Sequence, residues 1–277
     1  MHKKFHIELD SLKRDLENFD RYNIFSSERL AYGSITISDR ESVKQSIINY
    51  VKENEDIDTE KLIGDIFPKF TPHLFISHKS QDAGLAIKLA NILFEKYDIL
   101  SFIDSQVWHH INDIQKILDE EFSKKSEGLY DYRKSNIVSS NIFAMLSSSL
   151  YRTIDDSDGF IFIDRATKPN TARITHSTIS QINTESPWIY LENIYSNLIR
   201  KKSHNRSQII LAKAGLEKLA EDVSVSTESR KEPKFTYTAE SVDSRTIQTI
   251  AKVLDTPYDK REKHPLEGLD FVYSLLS

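Results

Sequence analysis

Short apolar runs alternate with amphipathic helical patterns from residue 71 onward, and this alternation most constrains the fold. His73–Ser77 and Ile99–Asp104 are apolar runs too short for helices, and each is typical of a buried strand. Between them, apolar residues from Leu85 to Leu93 recur at the spacing of one helical face, and a similar pattern covers residues 111–122. Strand, helix, strand, helix predicts a parallel sheet with helices on both faces. We therefore assign the chain to the α/β class.

The same pattern continues toward the C-terminus. Gly159–Asp164 is the clearest strand of the chain, and a helical pattern from Ile142 to Ile154 precedes it. The polar residues 123–140 predict a surface insertion. Two further strands are predicted over residues 208–212 and 235–238, and closing helices over residues 244–254 and 266–276.

The first seventy residues show helical periodicity instead. One stripe recurs at spacings of three and four and consists of Phe5, Leu9, Leu12, Leu16 and Phe19. We expect a helical extension over residues 1–70 and a main domain over residues 71–277. The extension either packs on the main domain or forms a dimerisation or partner-binding module, because its spacing is heptad-like over a short length.

Composition excludes several classes of protein. The 277 residues include 39% hydrophobic and 29% charged residues, which is enough apolar material for a core. Apolar runs fall short of the roughly 20 residues that a membrane span requires, and no apolar leader follows Met1. The absence of cysteine excludes disulfides and thiolate metal sites, and a net charge of −5 does not favour nucleic acid. We expect a cytoplasmic protein without nucleic-acid or membrane partners.

Polar residues follow the predicted strands, where open parallel sheets bind their ligands. Ser77, His78 and Lys79 end the first of these strands, residues 104–110 follow the second, and Asp164 ends the third. The seven glycines form neither a dinucleotide-binding fingerprint nor a P-loop, which disfavours dehydrogenases and P-loop ATPases. No histidine–carboxylate cluster accompanies the adjacent histidines of the 104–110 segment, so we predict no metal site.

A later segment places a carboxylate beside an indole. Ser186 and Pro187 are typical of a helix start, with serine at the cap and proline at the first helical position. Trp188 and Glu192 are then four residues apart on one helical face. Such a pair offers a flat surface for a planar ligand and an acceptor for ribose hydroxyls or a developing cation. The alternative is an ordinary glutamate at the edge of a buried stripe.

Together these segments resemble the Toll/interleukin-1 receptor (TIR) domain, in particular bacterial TIR proteins of antiphage defence of the Thoeris type. The resemblance covers residues 71–200 best. It rests on four segments: His73–Asp82 (HLFISHKSQD), Phe102–Asp104 (FID), Phe160–Ile163 (FIFI) and Ser186–Glu192 (SPWIYLE).

The resemblance implies a flavodoxin-like fold and cleavage of the nicotinamide–ribose bond of NAD, which is the substrate, with no further cofactor. Glu192 corresponds to the catalytic glutamate of the family. The loop Ser105–His110 borders the nicotinamide pocket in the family and, in TIR domains, commonly docks on a neighbouring copy. The residues expected at the substrate are Trp188, Ser77, His78, Lys79, Asp104 and Trp108.

The resemblance also implies homo-oligomers and a separate effector protein that senses the nucleotide product. Water attack on the ribose yields ADP-ribose, whereas attack from within the substrate yields a cyclic isomer, and the sequence leaves both open. Two other functions remain as alternatives. One is a non-catalytic TIR scaffold that assembles with like domains, and the other is a different nucleotide-processing enzyme, such as a deoxyribosyltransferase relative.

Overall fold

Nine strands lie within the stretches of chain that the structure, a computed structural model, describes. These stretches are residues 3–19, 37–54, 57–66, 71–103, 113–164, 181–184, 186–199, 237–240, 245–259 and 266–276. The strands are β1 (Lys3–Glu8), β2 (Leu74–His78), β3 (Ser101–Ile103), β4 (Lys124–Ser126), β5 (Leu129–Tyr130), β6 (Gly159–Asp164), β7 (Gln181–Thr184), β8 (Tyr237–Glu240) and β9 (Arg245–Ile247).

Helices connect and cover these strands. Within the same stretches they are α1 (Leu9–Asp15), α2 (Ile37–Glu53), α3 (Thr59–Ile66), α4 (Ala83–Tyr97), α5 (residues 113–118), α6 (Tyr132–Asp156), α7 (Pro187–Leu198), α8 (Ala251–Asp255) and α9 (Glu267–Leu276). A 3₁₀ turn, Ser80–Asp82, leads into α4, and a π-helical turn, Asp119–Ser123, follows α5. In the described part of the chain, no helix combines the length and the apolar character needed to cross a membrane.

Five strands form one parallel sheet in the order β3-β2-β6-β1-β9. Every neighbouring pair in it is parallel. The predicted α/β class with a parallel sheet is therefore confirmed, as are the three strands predicted near residues 73–77, 99–104 and 159–164. The order is compatible with the flavodoxin-like order 2-1-3-4-5. In this comparison β2 corresponds to strand 1, β3 to strand 2, β6 to strand 3 and β1 to strand 4.

The N-terminal strand corrects the sequence analysis. Residues 3–8 were predicted to be helical, but they form β1, which pairs with β6 on one side and β9 on the other. The cause is an overlap of two periods: the run from Phe5 to Leu9 alternates apolar and polar residues, and its two ends also fit the helical stripe that continues through α1. A helical extension over residues 1–70 is thus wrong for residues 3–8. The domain division at residue 70 stays a prediction.

Two other segments differ in detail from the predictions. The polar segment 123–140 contains the antiparallel β4–β5 hairpin and the first turns of α6, and most of its side chains are exposed. The helix predicted over residues 244–254 is wrong for Arg245–Ile247, which form β9, and right for the part within α8. Pairing with β1 extends these three residues despite the helical pattern around them. The strand predicted over residues 208–212 lies outside the described residues.

Each face of the sheet carries its own core. On the face covered by α1, α4, α8 and α9, Ile7, Ile76 and Ile163 are buried. On the opposite face, called here the α7 face, buried residues of α2, α3, α5, α6 and α7 pack on phenylalanines of the sheet. Phe75 lies between two of them, with ring centroids 5.3 Å from Phe102 and 5.6 Å from Phe160.

The position of β1 gives a first test. Replacing Ile7, which is 2% exposed, with alanine should lower the free energy of unfolding by about 2–5 kcal/mol, because it leaves a cavity in the core. The matched change Ile137→Ala, at a position 54% exposed on α6, should cost under about 1 kcal/mol. Urea unfolding followed by circular dichroism measures both. Equal effects of the two substitutions would contradict a strand in the sheet at residues 3–8.

Candidate active site

Strands β2 and β6 are neighbours, and the described helices α4 and α7 that follow them pack on opposite faces of the sheet. After β2 the chain passes through α4 on one face of the sheet to β3, and after β6 the next described helix, α7, packs on the other face. Open parallel sheets bind ligands beyond the carboxyl ends of the strands at such a switch point. The residues that end these two strands are Ser77 and His78 on β2, followed by Lys79, and Asp164 on β6.

Helix α7 brings a carboxylate to this point. The hydroxyl of Ser186 caps the helix by accepting a hydrogen bond from the Ile189 backbone N–H at 3.4 Å, and Pro187 is the first helical residue. The predicted helix start is therefore confirmed. Helix α7 packs against β2, and its buried side chains include Glu192 and Asn193.

Glu192 is bonded directly to the end of β2. Its side chain is 0% exposed, and its Oε2 accepts a hydrogen bond from Ser77 Oγ. A buried carboxylate is costly unless donors satisfy it, so Ser77 stabilises Glu192 where it lies. A carboxylate held in this way, away from bulk water, is suited to stabilise a positive charge that develops beside it.

A second polar contact joins the same two strands. Lys79 Nζ lies 2.7 Å from Asp164 Oδ1, and this ion pair bridges the carboxyl ends of β2 and β6. The Lys79 side chain is 38% exposed, so solvent screens the pair and its contribution to stability is small. The site therefore has a cation on a partly exposed side chain beside the end of β2.

The structure adds two residues that the sequence analysis did not include in the site. His6 and Glu8 on β1 pair in register with Phe162 and Asp164 on β6, which places them on the α7 face beside the switch point. Burial lowers the pKa of the His6 imidazole, and the nearby Asp164 and Glu8 act in the opposite direction. The alternation of apolar and polar residues from Phe5 onward was the signal that could have revealed this strand.

Trp188 lies one turn before Glu192 on α7 and is half-buried. Its ring centroid is 5.3 Å from that of Phe143 on α6, with the planes inclined by 36°. Two turns further along the same helices, Tyr151 and Tyr195 meet edge to face at 5.3 Å. These aromatic pairs hold α7 against α6 and so help to fix the position of Glu192.

The remaining predicted residues differ in their placement. Ser77 and Lys79 lie at the switch point with Glu192. His78 is buried, and alternation along β2 directs its side chain to the opposite face, with Nδ1 3.2 Å from the carbonyl oxygen of Ile76. Its role at the substrate stays a prediction. Asp104 and Trp108 lie outside the described residues, as does all of the loop Ser105–His110.

A pocket of about 410 Å³ lies elsewhere, between α3, α5 and α6. It contains none of the predicted site residues and is mostly apolar, with Lys134, Asn141 and Thr59 among its lining. Within the described stretches, no group of three or more His, Asp and Glu side chains is arranged to hold a metal ion.

The bond between β2 and α7 gives a second test. Ser77→Ala should lower the free energy of unfolding by about 1–3 kcal/mol, because the buried carboxylate of Glu192 loses the hydrogen bond from the Ser77 hydroxyl. Ser274→Ala is the matched control: this exposed serine donates to the Phe271 carbonyl, and its loss should change stability by under about 0.5 kcal/mol. Thermal and urea unfolding measure both. A Ser77→Ala protein as stable as the control would refute the proposed support of Glu192.

Comparisons with known proteins do not assign the chain to a family. No family model matches it, and neither does a curated protein or a solved structure. The residues at the switch point and their geometry are therefore what supports a function.

Proposed function

We propose that this protein is an NAD-cleaving enzyme of the TIR type, with Glu192 as its catalytic carboxylate. One observation carries the proposal: the buried Glu192 is hydrogen-bonded to Ser77 at the carboxyl end of a parallel strand, beside the switch point of the sheet. The four segments that resemble the family include both residues. The proposed setting is the cytoplasm, in antiphage defence.

The chemistry of this bond cleavage suits a single carboxylate. The nicotinamide of NAD is already cationic, so it leaves as a neutral molecule without being protonated. The ribose left behind has the character of an oxocarbenium ion, and a carboxylate beside it stabilises that charge and holds the ribose hydroxyls. The acid–base pair of ordinary glycosidases is therefore unnecessary for the first step.

The other predicted residues take supporting roles in this proposal. Lys79 is a partly exposed cation at the switch point, and its charge suits the pyrophosphate of NAD. Trp188 contributes its ring beside the glutamate, and His78, Asp104 and Trp108 keep the substrate roles that the resemblance implies. Hydrolysis to ADP-ribose and formation of a cyclic isomer for a separate effector both remain within the proposal.

The burial of Glu192 adds a requirement. Because its carboxylate is 0% exposed, NAD reaches it only if the surroundings of α7 rearrange. The resemblance implies a trigger, since TIR sites are commonly completed by a neighbouring copy. We therefore include homo-oligomeric assembly in the proposal as the event that opens and completes the site.

A charge-removing substitution tests the catalytic role. Glu192→Gln is nearly isosteric, so it should preserve the fold and lower nicotinamide release at least 100-fold by removing the stabilising charge. Purified full-length protein is incubated with NAD, with and without a crowding agent that promotes assembly, and free nicotinamide is measured by chromatography.

Glu53→Gln, at an exposed position near the end of α2, is the matched control and should keep wild-type activity. Undiminished NAD cleavage by a folded Glu192→Gln protein would contradict the assignment of Glu192 as the catalytic residue. Absence of nicotinamide release from the wild-type protein under both conditions would refute the proposed NAD-cleaving activity.

A specific observation favours the second candidate, a non-catalytic TIR scaffold. Large apolar side chains are exposed on the β4–β5 hairpin and on α6, whereas most such residues elsewhere in the described chain are buried. Exposed apolar side chains on neighbouring elements are typical of contact surfaces. The exposed residues are Leu129, Tyr130, Tyr132, Ile137, Phe143 and Tyr151.

Sedimentation experiments test this surface. Tyr132 is 70% exposed at the start of α6, and Tyr132→Ser should weaken self-association about tenfold, as expected for an aromatic contact residue. Leu198→Ser removes an exposed apolar side chain from the end of α7 rather than from the hairpin or α6, and should leave association unchanged. Association together with absent NAD cleavage would favour the scaffold. A strictly monomeric protein at all concentrations would contradict it.

A further inference from the structure

One row of residues crosses the α7 face of the sheet at the level of the candidate site. His6 on β1 and Ser77 on β2 both pair in register with Phe162 on β6, which lies between them. Paired residues of parallel strands point to the same face, and neighbouring strands lie about 4.8 Å apart. The backbones of His6 and Ser77 are therefore about 10 Å apart. Glu192 is bonded to Ser77 at one end of the row, and His6 lies at the other.

The next row toward the carboxyl ends carries charge. Glu8 pairs with Asp164, and Asp164 is bonded to Lys79. The charged groups that act on His6 are Asp164 on β6 and Glu8 on its own strand. Three further charged residues lie near the same face: Lys4 on β1, Lys79 after β2 and Glu192 on α7.

The ring of His6 is held in place, yet one of its nitrogens has no partner. It stacks on Phe162 with centroids 5.7 Å apart and planes inclined by 27°. Nε2 is enclosed and makes no hydrogen bond with any residue that the structure describes. A buried polar atom without a partner is costly, and a phenyl ring would fill the same place without that cost. An imidazole in this place offers a proton acceptor that a phenyl ring would not.

The proposed reaction requires a proton acceptor. When water attacks the anomeric carbon of the ribose cation, a C–O bond forms and the water must lose a proton. Glu192 is occupied in stabilising the cation. A neutral imidazole is a stronger base than an ionised carboxylate and is suited to this second step.

We propose that His6, from the N-terminal strand, accepts this proton at Nε2, an inference that rests on the proposed function. The bond between the anomeric carbon and nicotinamide breaks, and its electron pair leaves with nicotinamide. Water then adds to the anomeric carbon. One proton of that water passes to His6 and afterwards to solvent. The balance is NAD plus water giving ADP-ribose, nicotinamide and one proton. His6 thus makes β1 part of the chemistry.

The pH dependence of the full-length enzyme tests this role. The neutral imidazole is the active form, so nicotinamide release should rise with pH along an acid limb. Because burial lowers the pKa of His6, the midpoint of this limb should lie below 6.5. His6→Gln should lower the rate at least 100-fold and remove the limb.

His73→Gln is the matched control. Burial also lowers the pKa of His73, but this histidine precedes β2 at the opposite end of the strand from Ser77. The control should keep the acid limb. Suppose that wild type cleaves NAD and Glu192→Gln does not. If His6→Gln then keeps both the wild-type rate and the acid limb of the pH profile, the role of His6 is overturned while the proposed function stands. Absence of cleavage by wild type overturns both.

A second measurement, on the wild-type protein, tests the role of His6 even if His6→Gln fails to fold. The wild-type chain is labelled with ¹³C-histidine, and the ring signal of His6 is titrated by nuclear magnetic resonance. A titration midpoint that coincides with the kinetic acid limb supports proton transfer to His6. A midpoint that differs from the limb by more than one pH unit contradicts it.

Discussion

The parallel pairing of β1 with β6 is the contact on which the rest of the structure depends. β1 lies between β6 and β9, so it connects the sheet strands that carry the candidate site to the edge strand near the C-terminus. Ile7 and Phe5 enter the core beneath α4, while His6 and Glu8 point to the α7 face. One strand of six residues therefore contributes Phe5 and Ile7 to one core and places His6 and Glu8 on the face of the candidate site.

The buried face of α7 is unusual in being polar. Asn193 donates to the Ile189 carbonyl at 2.7 Å, and Ser196 donates to the Asn193 carbonyl at 2.9 Å, so both bonds stay within the helix. Glu192 instead bonds across to the sheet. A buried helix face made of such residues gains less from the hydrophobic effect than an apolar one. Its position depends more on the aromatic pairs that Trp188 and Tyr195 form with α6.

Much of the fold could be predicted from the sequence because its strands are strongly apolar and bounded by polar residues. β2, β3 and β6 and the capped start of α7 are examples. β1 was missed because five residues of alternation compete with a longer helical stripe, and β9 because its strand depends on pairing with β1. The pairing of Glu192 with Ser77 follows from three-dimensional register, which the spacing of residues along a chain does not encode. At the level of the sequence, only the resemblance to a family placed Glu192 and Ser77 in the same site.

The sheet order also bears on how the chain is made. Synthesis delivers β1 first, but its partners come much later, since Lys3 pairs with Gly159 and Phe5 with Arg245. During translation the first strand must wait for its neighbours, and contacts this distant in sequence form slowly. An unpaired strand that exposes Phe5 and Ile7 for that time is a target for chaperones and for non-native pairing. The five-stranded sheet to which His6 belongs, and on which Glu192 packs, is therefore complete only once synthesis has passed residue 247.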